Sequence, residues 1–319
     1  MFYKSVYITR QGIHQLLDRR MKQNETFAYL NLVIAQIRHD HPTMSCRAMY
    51  YKIQPDKIGR DKFEQLCNEW GFMLEQPFKL PRTTDSTGVI RFDNLLANFT
   101  LTDINQAYSS DITYFEVSGT YYYLTFIIDC YSRRILGHVA SKKLSTEQTT
   151  LPALQQAIKT RNFTIPEGII FHSDGGGQYF DKEFLALTTK YHFKNSMCEM
   201  AYENGKAERV NGIIKNNYLI HYSIKTFEQL EKMLDRSVTL YNKEKPHKAL
   251  KYLSPIDFEN KQLSLHQQNN PRMKESFYGN QQIDGASSPI QSEQNNPQNP
   301  DVFIGNLKRD NRTKTVNVI

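Results

Sequence analysis

The stretch DITYFEVSGTYYYLTFIIDCYSRRILGHVAS, residues 111–141, decides the fold. Its β-branched and aromatic residues fall into three runs, DITYFEVS, YYYLTFIIDCYS and RILGHVAS, with Gly119 breaking the first from the second. Residues of this kind favour a pleated, half-buried surface, so each run predicts a strand. The connections are too short for a parallel crossover, which takes a dozen residues or more. The three strands are therefore expected as an antiparallel meander.

Downstream the pattern alternates. STEQTTLPALQQAIKTR (145–161) reads as a helix, with Ser145 as its cap and Glu147 near its first turn. GIIFHSD (168–174) is a short apolar run of strand length, DKEFLALTTKYH (181–192) a helix and KNSM (194–197) a short strand. YENGKAERVNGIIKNNYL (202–219) is helical, and TFEQLEKMLDRSVTLYNKE (226–244) is expected as the last amphipathic helix. A three-strand meander followed by alternating helices and strands is the order of a ribonuclease-H-like α/β domain. The expectation for residues 105–261 is thus a mixed five-stranded sheet flanked by helices.

Upstream, residues 1–80 read as a separate all-α module. ETFAYLNLVIAQIRHDHP carries Phe27, Leu30, Val33 and Ile34 at helical spacing. PTMSCRAMYYKI, a turn containing Pro55 and Gly59, and RDKFEQLCNEWGF then form a helix-turn-helix signal, with Thr43 or Ser45 available to cap the first helix. Arg47, Arg60 and Lys62 are its candidate DNA contacts. An ordinary helical hairpin with solvated charges fits the same residues. Residues 81–104 mix Pro, Thr, Ser, Asp and Gly without a period and read as a linker. Residues 262–319, rich in Gln, Asn, Ser and Pro, hold too little apolar surface to fold alone and are expected to be a disordered tail.

The chain of 319 residues carries a formal charge of +7 and has a pI near 9.0, which suits a polyanionic partner. Within residues 1–80, twelve Lys and Arg stand against eight Asp and Glu. Cys46, Cys67, Cys130 and Cys198 are scattered without a CxxC pair, as expected of free thiols in a reducing compartment. No apolar run reaches the length of a membrane span or a signal peptide, so a soluble, cytoplasmic protein without a membrane partner is expected. A GxSxG elbow and a GxxxxGK[ST] phosphate loop are both missing, which argues against serine-nucleophile chemistry and ATP use.

The candidate chemistry lies in three acids. Asp111 opens a β-run, Asp174 closes one just before Gly175-Gly176-Gly177, and Glu208 lies in a helix. Acids at strand ends and on a helix can converge in the fold, and three carboxylates can hold two Mg²⁺ ions for phosphodiester chemistry. Lys215, seven residues beyond Glu208, falls about 20° from it around the helix and about 10 Å further along, within reach of an adjacent phosphate. Asn211, three residues on, shares that side. Each residue also has a plain reading: Asp174 as a turn residue, and Glu208 and Lys215 as a solvated helix face. Asp129, before CYSRR, is expected to cap the turn into the third strand, and His172 to be a packed neighbour of the site.

NQAYSSDITYF, TFIIDCYSRRILGHV, FHSDGGGQYF, AYENGKAERVNGIIKNNYL and YNKEKPHKALKYLSPIDFE, in that order, resemble the DDE transposase and integrase family. They are most similar to the second-frame transposases of the IS-three group of bacterial insertion sequences. The resemblance covers roughly residues 5–260, helix-turn-helix included. It implies a catalytic triad of Asp111, Asp174 and Glu208, two Mg²⁺ (or Mn²⁺) ions, and cleavage and transfer of DNA strands. It also implies transposon ends and target DNA as partners, multimers on paired ends, an upstream-frame partner and a nucleoid-associated bacterial setting. The 33 residues between Asp174 and Glu208 are two fewer than the family usually has, which leaves Glu203 as a rival third acid. The amino-terminal zinc module of retroviral integrases is not expected from His39, His41, Cys46 and Cys67, because no close Cys pair follows. A hydrolytic ribonuclease-H-type nuclease and a catalytically silent DNA-binding descendant are the alternatives.

Overall fold

A computed structural model describes residues 9–74, 92–198 and 204–269. Residues 1–8, residues 75–80 of the helical module, residues 81–91 of the proposed linker, Glu199, Glu203 and nearly all of the expected tail lie outside the described residues.

Three helices come first: α1 (Arg10–Asp40), α2 (Cys46–Ile53) and α3 (Arg60–Glu69). Ser45 caps α2 by accepting the Ala48 N–H at 3.2 Å. Leu30, Ile34 and Ile37 of α1 close over Met49 of α2 and over Phe63, Leu66 and Cys67 of α3, giving these helices a core of their own. The module also touches the larger part of the chain. The buried His41 ring meets the Tyr218 hydroxyl at 2.9 Å, Lys52 pairs with Glu244 at 2.9 Å, and Tyr51 stacks on Tyr252.

The larger part is built on β1 (Ala107–Val117), β2 (Thr120–Asp129), β3 (Ile135–Ser141), β4 (Ile170–Ser173) and β5 (Lys194–Met197). The sheet order is β3-β2-β1-β4-β5. β1, β2 and β3 are the antiparallel meander, whereas β4 joins β1 and β5 joins β4 in parallel. This mixed five-stranded order is that of a ribonuclease-H-like fold. Gly119 makes the β1–β2 turn with φ +80, a conformation that side chains resist. β1 begins at Ala107, so Asp111 sits inside the strand rather than opening it.

Strand alternation sends neighbouring residues to opposite faces. Phe126 and Ile128 join the core with Val210 and Ile214 of α6 (Gly205–Asn217) and with Leu234 and Val238 of α7 (Phe227–Glu244). Ile127, between them, packs the other way with Leu154 and Ile158 of α4 (Thr150–Thr160) and Phe184 of α5 (Lys182–Lys190). α4 lies so close to β3 that a Cβ on Gly137 would come within 2.0 Å of the Ala153 carbonyl oxygen. An eighth helix, α8 (Pro255–Asn269), follows α7, which the sequence pattern marks as the last. Glu259 of α8 is buried, where Arg161 and Arg134 each reach it at 2.7 Å and the Ser132 hydroxyl donates to it.

Candidate active site

Strand pairing brings the first two acids together. Ser109 of β1 is level with His172 of β4 in a parallel register. Two residues further along, Asp111 comes level with Asp174, just past the end of β4, on strands about 4.8 Å apart. Asp111 also sits across from Phe126, which packs toward α6 and α7, so it projects to the α6 side of the sheet. Glu208 lies in the first turn of α6 and approaches from that side.

The electrostatics follow from this convergence. Burial, then the charges of Asp174 and Glu208, push the Asp111 carboxyl up to about 7. Asp174 is also raised by burial, opposed by the Gly176 N–H that its Oδ1 accepts at 3.0 Å. Neither aspartate forms an ion pair among the described residues. Carboxylates crowded in this way favour a bound proton or a cation. Their hard oxygen donors suit Mg²⁺ or Mn²⁺. Even so, no three His, Cys, Asp or Glu side chains among the described residues stand close enough to enclose an ion as they are. Asp174 shows one reason, because its carboxylate is turned back onto Gly176.

Asn211 is buried against the acids rather than facing outward. Its Nδ2 donates to Asp111 Oδ2 at 2.7 Å, which orients that carboxylate. Lys215 Nζ donates to Thr113 Oγ1 at 2.7 Å and lies over the Tyr114 ring, 5.5 Å from its centroid. Burial lowers the Lys215 pKa, and Asp111 opposes that shift. Thr113 is two residues beyond Asp111 on the same strand face, so one side of β1 holds both an acid and the lysine's anchor.

Asn204 escapes a reading of the sequence. This buried residue precedes α6, and its Nδ2 donates to the Ser110 carbonyl at 2.9 Å while its Oδ1 accepts from the Ser109 hydroxyl. The pair of bonds fastens the start of the Glu208 helix to the strand that carries Asp111. Tyr179 is a second omission; its buried hydroxyl meets Ser110 Oγ at 2.9 Å, behind the acids. Nothing in local spacing marks either residue, since both act across the sheet.

The remaining candidates separate from the site. Asp129 is fully buried and accepts the Tyr131 and Ser132 N–H groups, capping the turn as expected, and Arg161 also reaches it at 3.4 Å. His172 is buried with Nδ1 2.9 Å from Ser196 Oγ. Arg47 pairs with Glu64 at 2.8 Å, Arg60 with Asp61 at 2.8 Å, and Lys62 meets Gln65 at 3.2 Å, all on the exposed surface of α2 and α3. His39 is exposed while His41 is held by Tyr218 and Glu244, away from a shared ligand set with Cys46 and Cys67.

Two family models, each described as an integrase core domain, match residues 102–202 and 190–255. An uncharacterized transposase-like protein of Haemophilus influenzae is 30% identical over 175 residues, 54% of this chain and 79% of its own length. The chain belongs to the DDE transposase and integrase family. It lies near the IS3-group transposases. The 31 kDa protein of insertion element IS600 from Shigella sonnei is 28% identical across 78% of the chain and 92% of itself. Transposase InsF of insertion sequence IS3A from Escherichia coli is 30% identical across 54% of the chain, but only 60% of InsF is spanned. Among solved structures, the HTLV-2 integrase catalytic core in complex with magnesium covers 49% of this chain and 97% of its own. That pair shares 23% identity with a TM-score of 0.41. No helix among the described residues is long and apolar enough to cross a membrane.

Proposed function

We propose that this member of the transposase family cleaves DNA at the ends of an insertion sequence and joins them to target DNA, using Asp111, Asp174 and Glu208. The observation that carries the reading is the Asp111 carboxyl, which burial and then the charges of Asp174, past the end of β4, and Glu208, on α6, push up to about 7. Mg²⁺ or Mn²⁺ bound by the three carboxylates would supply charge neutralisation and an activated oxygen nucleophile for in-line displacement at phosphorus.

The chain's own residues divide the remaining work. Asn211 fixes the rotation of the Asp111 carboxylate through its 2.7 Å hydrogen bond. Asn204 holds the first turn of α6 against β1, so that Glu208 keeps its distance from Asp111. Without a metal, burial and the neighbouring acids make Asp111 hold its proton more tightly than an ordinary carboxyl, and a bound cation would displace that proton. Lys215, held by Thr113 on the same face, presents its ammonium to the phosphate beside the scissile one. Arg47, Arg60 and Lys62 of the helical module are proposed to engage the transposon ends. Pairing of ends by two or more copies is proposed with it.

The test is a strand-transfer assay with labelled DNA ends and a target duplex in Mg²⁺. Asp111→Ala, Asp174→Ala and Glu208→Ala should each abolish cleavage and joining while keeping end binding. Full activity in Asp174→Ala would refute the assignment. Cleavage by the unmutated chain without any joining would favour the hydrolytic nuclease. Binding without either reaction would favour the silent descendant.

A further inference from the structure

The helical module meets the larger part of the chain at four separate points. At the end of α1, the Asp40 carboxylate accepts from Arg236 of α7 at 2.7 Å. The next residue, His41, is only 2% exposed, and its ring lies edge-on to that of Tyr218. From α2, the Lys52 ammonium reaches Glu244 at the end of α7 at 2.9 Å. Tyr51 of the same helix stacks on Tyr252, with ring centroids 3.9 Å apart and planes within 17°.

Two of these contacts are built with particular care. Burial holds the His41 pKa down to about 4, so the ring is neutral at neutral pH and its two nitrogens differ. Nε2 lies 3.4 Å from a carboxylate oxygen of Glu244, which can only accept, so Nε2 carries the proton. Nδ1 then accepts the Tyr218 hydroxyl at 2.9 Å. Both nitrogens of a buried ring in the module are thus committed to the larger part. Tyr252 is presented by a strained turn, since it and Lys251 hold left-handed backbone with φ 62 and φ 55. Such conformations cost about 1–3 kcal/mol each and persist where the surroundings impose them. Here the Tyr252 N–H bonds to the His247 carbonyl at 2.9 Å, and the His247 N–H to the Leu253 carbonyl at 3.0 Å, closing the loop.

A single contact would let the module pivot. Four, drawn from two of its helices, land on α7, on the residue after α6 and on the loop of residues 247–253, and so fix its tilt and rotation as well as its position. Tyr218 directly follows α6, which carries Glu208, so the module is braced against the helix of the third acid. Docked in this way it leaves Arg47, Arg60 and Lys62 exposed. Phosphates of one DNA strand are spaced about 3.4 Å along the duplex axis, so a slip of that size presents the next phosphate to the acids. Hydrogen bonds of 2.7–2.9 Å are broken by a much smaller displacement.

We propose that this latch is a ruler, holding the DNA sequence bound by the module at a fixed distance from the acids and so selecting the phosphate that is cut. The proposal rests on the transposase reading and adds to it how one phosphate is chosen among its neighbours. Tyr218, Glu244 and Tyr252 are positioning residues in this scheme, acting through the module rather than on the reacting atoms.

The experiment uses the full chain with Mg²⁺ and a labelled duplex carrying the DNA that flanks its own coding region. Every cut is mapped to the nucleotide, and affinity for the duplex is measured alongside. Tyr218→Phe, Glu244→Gln and Tyr252→Ala are combined, because all three lie in the larger part and leave the module's own surface unaltered. Asp40→Arg is tested alone and together with Arg236→Asp, which restores the pair in reverse. The triple variant should bind the duplex as tightly as the unmutated chain, cut the usual phosphate about tenfold more slowly and cut neighbouring phosphates as well. Asp40→Arg should scatter its cuts likewise, and adding Arg236→Asp should return them to one position. A loss of stability alone lowers the amount of cutting without moving it. Cuts confined to the original phosphate in a folded triple variant and in Asp40→Arg overturn the ruler, while the transposase reading stands. Should the triple variant not fold, the Asp40 and Arg236 variants, altered at partly exposed positions, decide alone. If the unmutated chain makes no cut, the transposase reading fails and the ruler with it.

Discussion

Replacing Asp111 by Asn should stabilise the metal-free protein while destroying its activity. The carboxyl is raised from its ordinary 3.8 to about 7 by burial and by Asp174 and Glu208, so its ionised form disfavours the fold. At about 1.4 kcal/mol per pH unit the upper bound is about 4 kcal/mol; partial contact with water reduces the expected gain to about 1–3 kcal/mol. Asn fits the site, since its side-chain oxygen can still accept from Asn211. The sign follows from linkage. The folded state holds the Asp111 proton more tightly than the unfolded state does, so this penalty is absent below about pH 4. It grows as pH rises through the interval up to about 7 and is constant above that. Denaturant unfolding in EDTA at several pH values should show a gain in Asp111→Asn that widens from pH 5 to pH 8. Adding Mg²⁺ should then stabilise the unmutated chain but not the variant. A variant no more stable than the parent at pH 8, or a difference independent of pH, would refute the reasoning.

Three further outcomes are expected. Asn204→Ala leaves the Ser110 carbonyl without its partner and loosens the start of α6; it should cost about 1–3 kcal/mol in thermal unfolding and lower strand transfer more than DNA binding. Thr113→Val removes the 2.7 Å anchor of Lys215 and should reduce strand transfer about tenfold in single-turnover assays, with little change in melting temperature. Arg161→Ala removes one of the two arginines on the buried Glu259 and the one that reaches the buried Asp129, and should destabilise the protein by about 3–5 kcal/mol by denaturant unfolding.

Much of the fold was legible because its signals are local. The Gly119 turn and the β-branched runs around it mark the meander, and the apolar spacing of Phe27, Leu30, Val33 and Ile34 marks part of α1. Ser45 caps α2 as its position suggests. β1 starts before Asp111 because Ala107, Ser109 and Ser110, weak strand formers around Tyr108, are recruited by pairing with β2 and β4. α8 is not marked by the sequence because it drifts into Gln- and Asn-rich composition, while its hold on the fold comes from distant partners: the arginines on buried Glu259, Tyr131 against Phe258, and Asp103 on His266.

For the site, the sequence alone named three acids and a lysine, since carboxylates and ammonium groups declare their chemistry by type. It also carried the family, through five motifs in order. What it could not supply is which neighbours those groups acquire. Asn204 and Tyr179 grip β1 across the sheet, and Thr113 holds Lys215 from 102 residues away. Local propensity and periodicity extend over a few residues along the chain. Electrostatic and hydrogen-bonding distances are set by strand register and helix packing, and only the tertiary structure decides those.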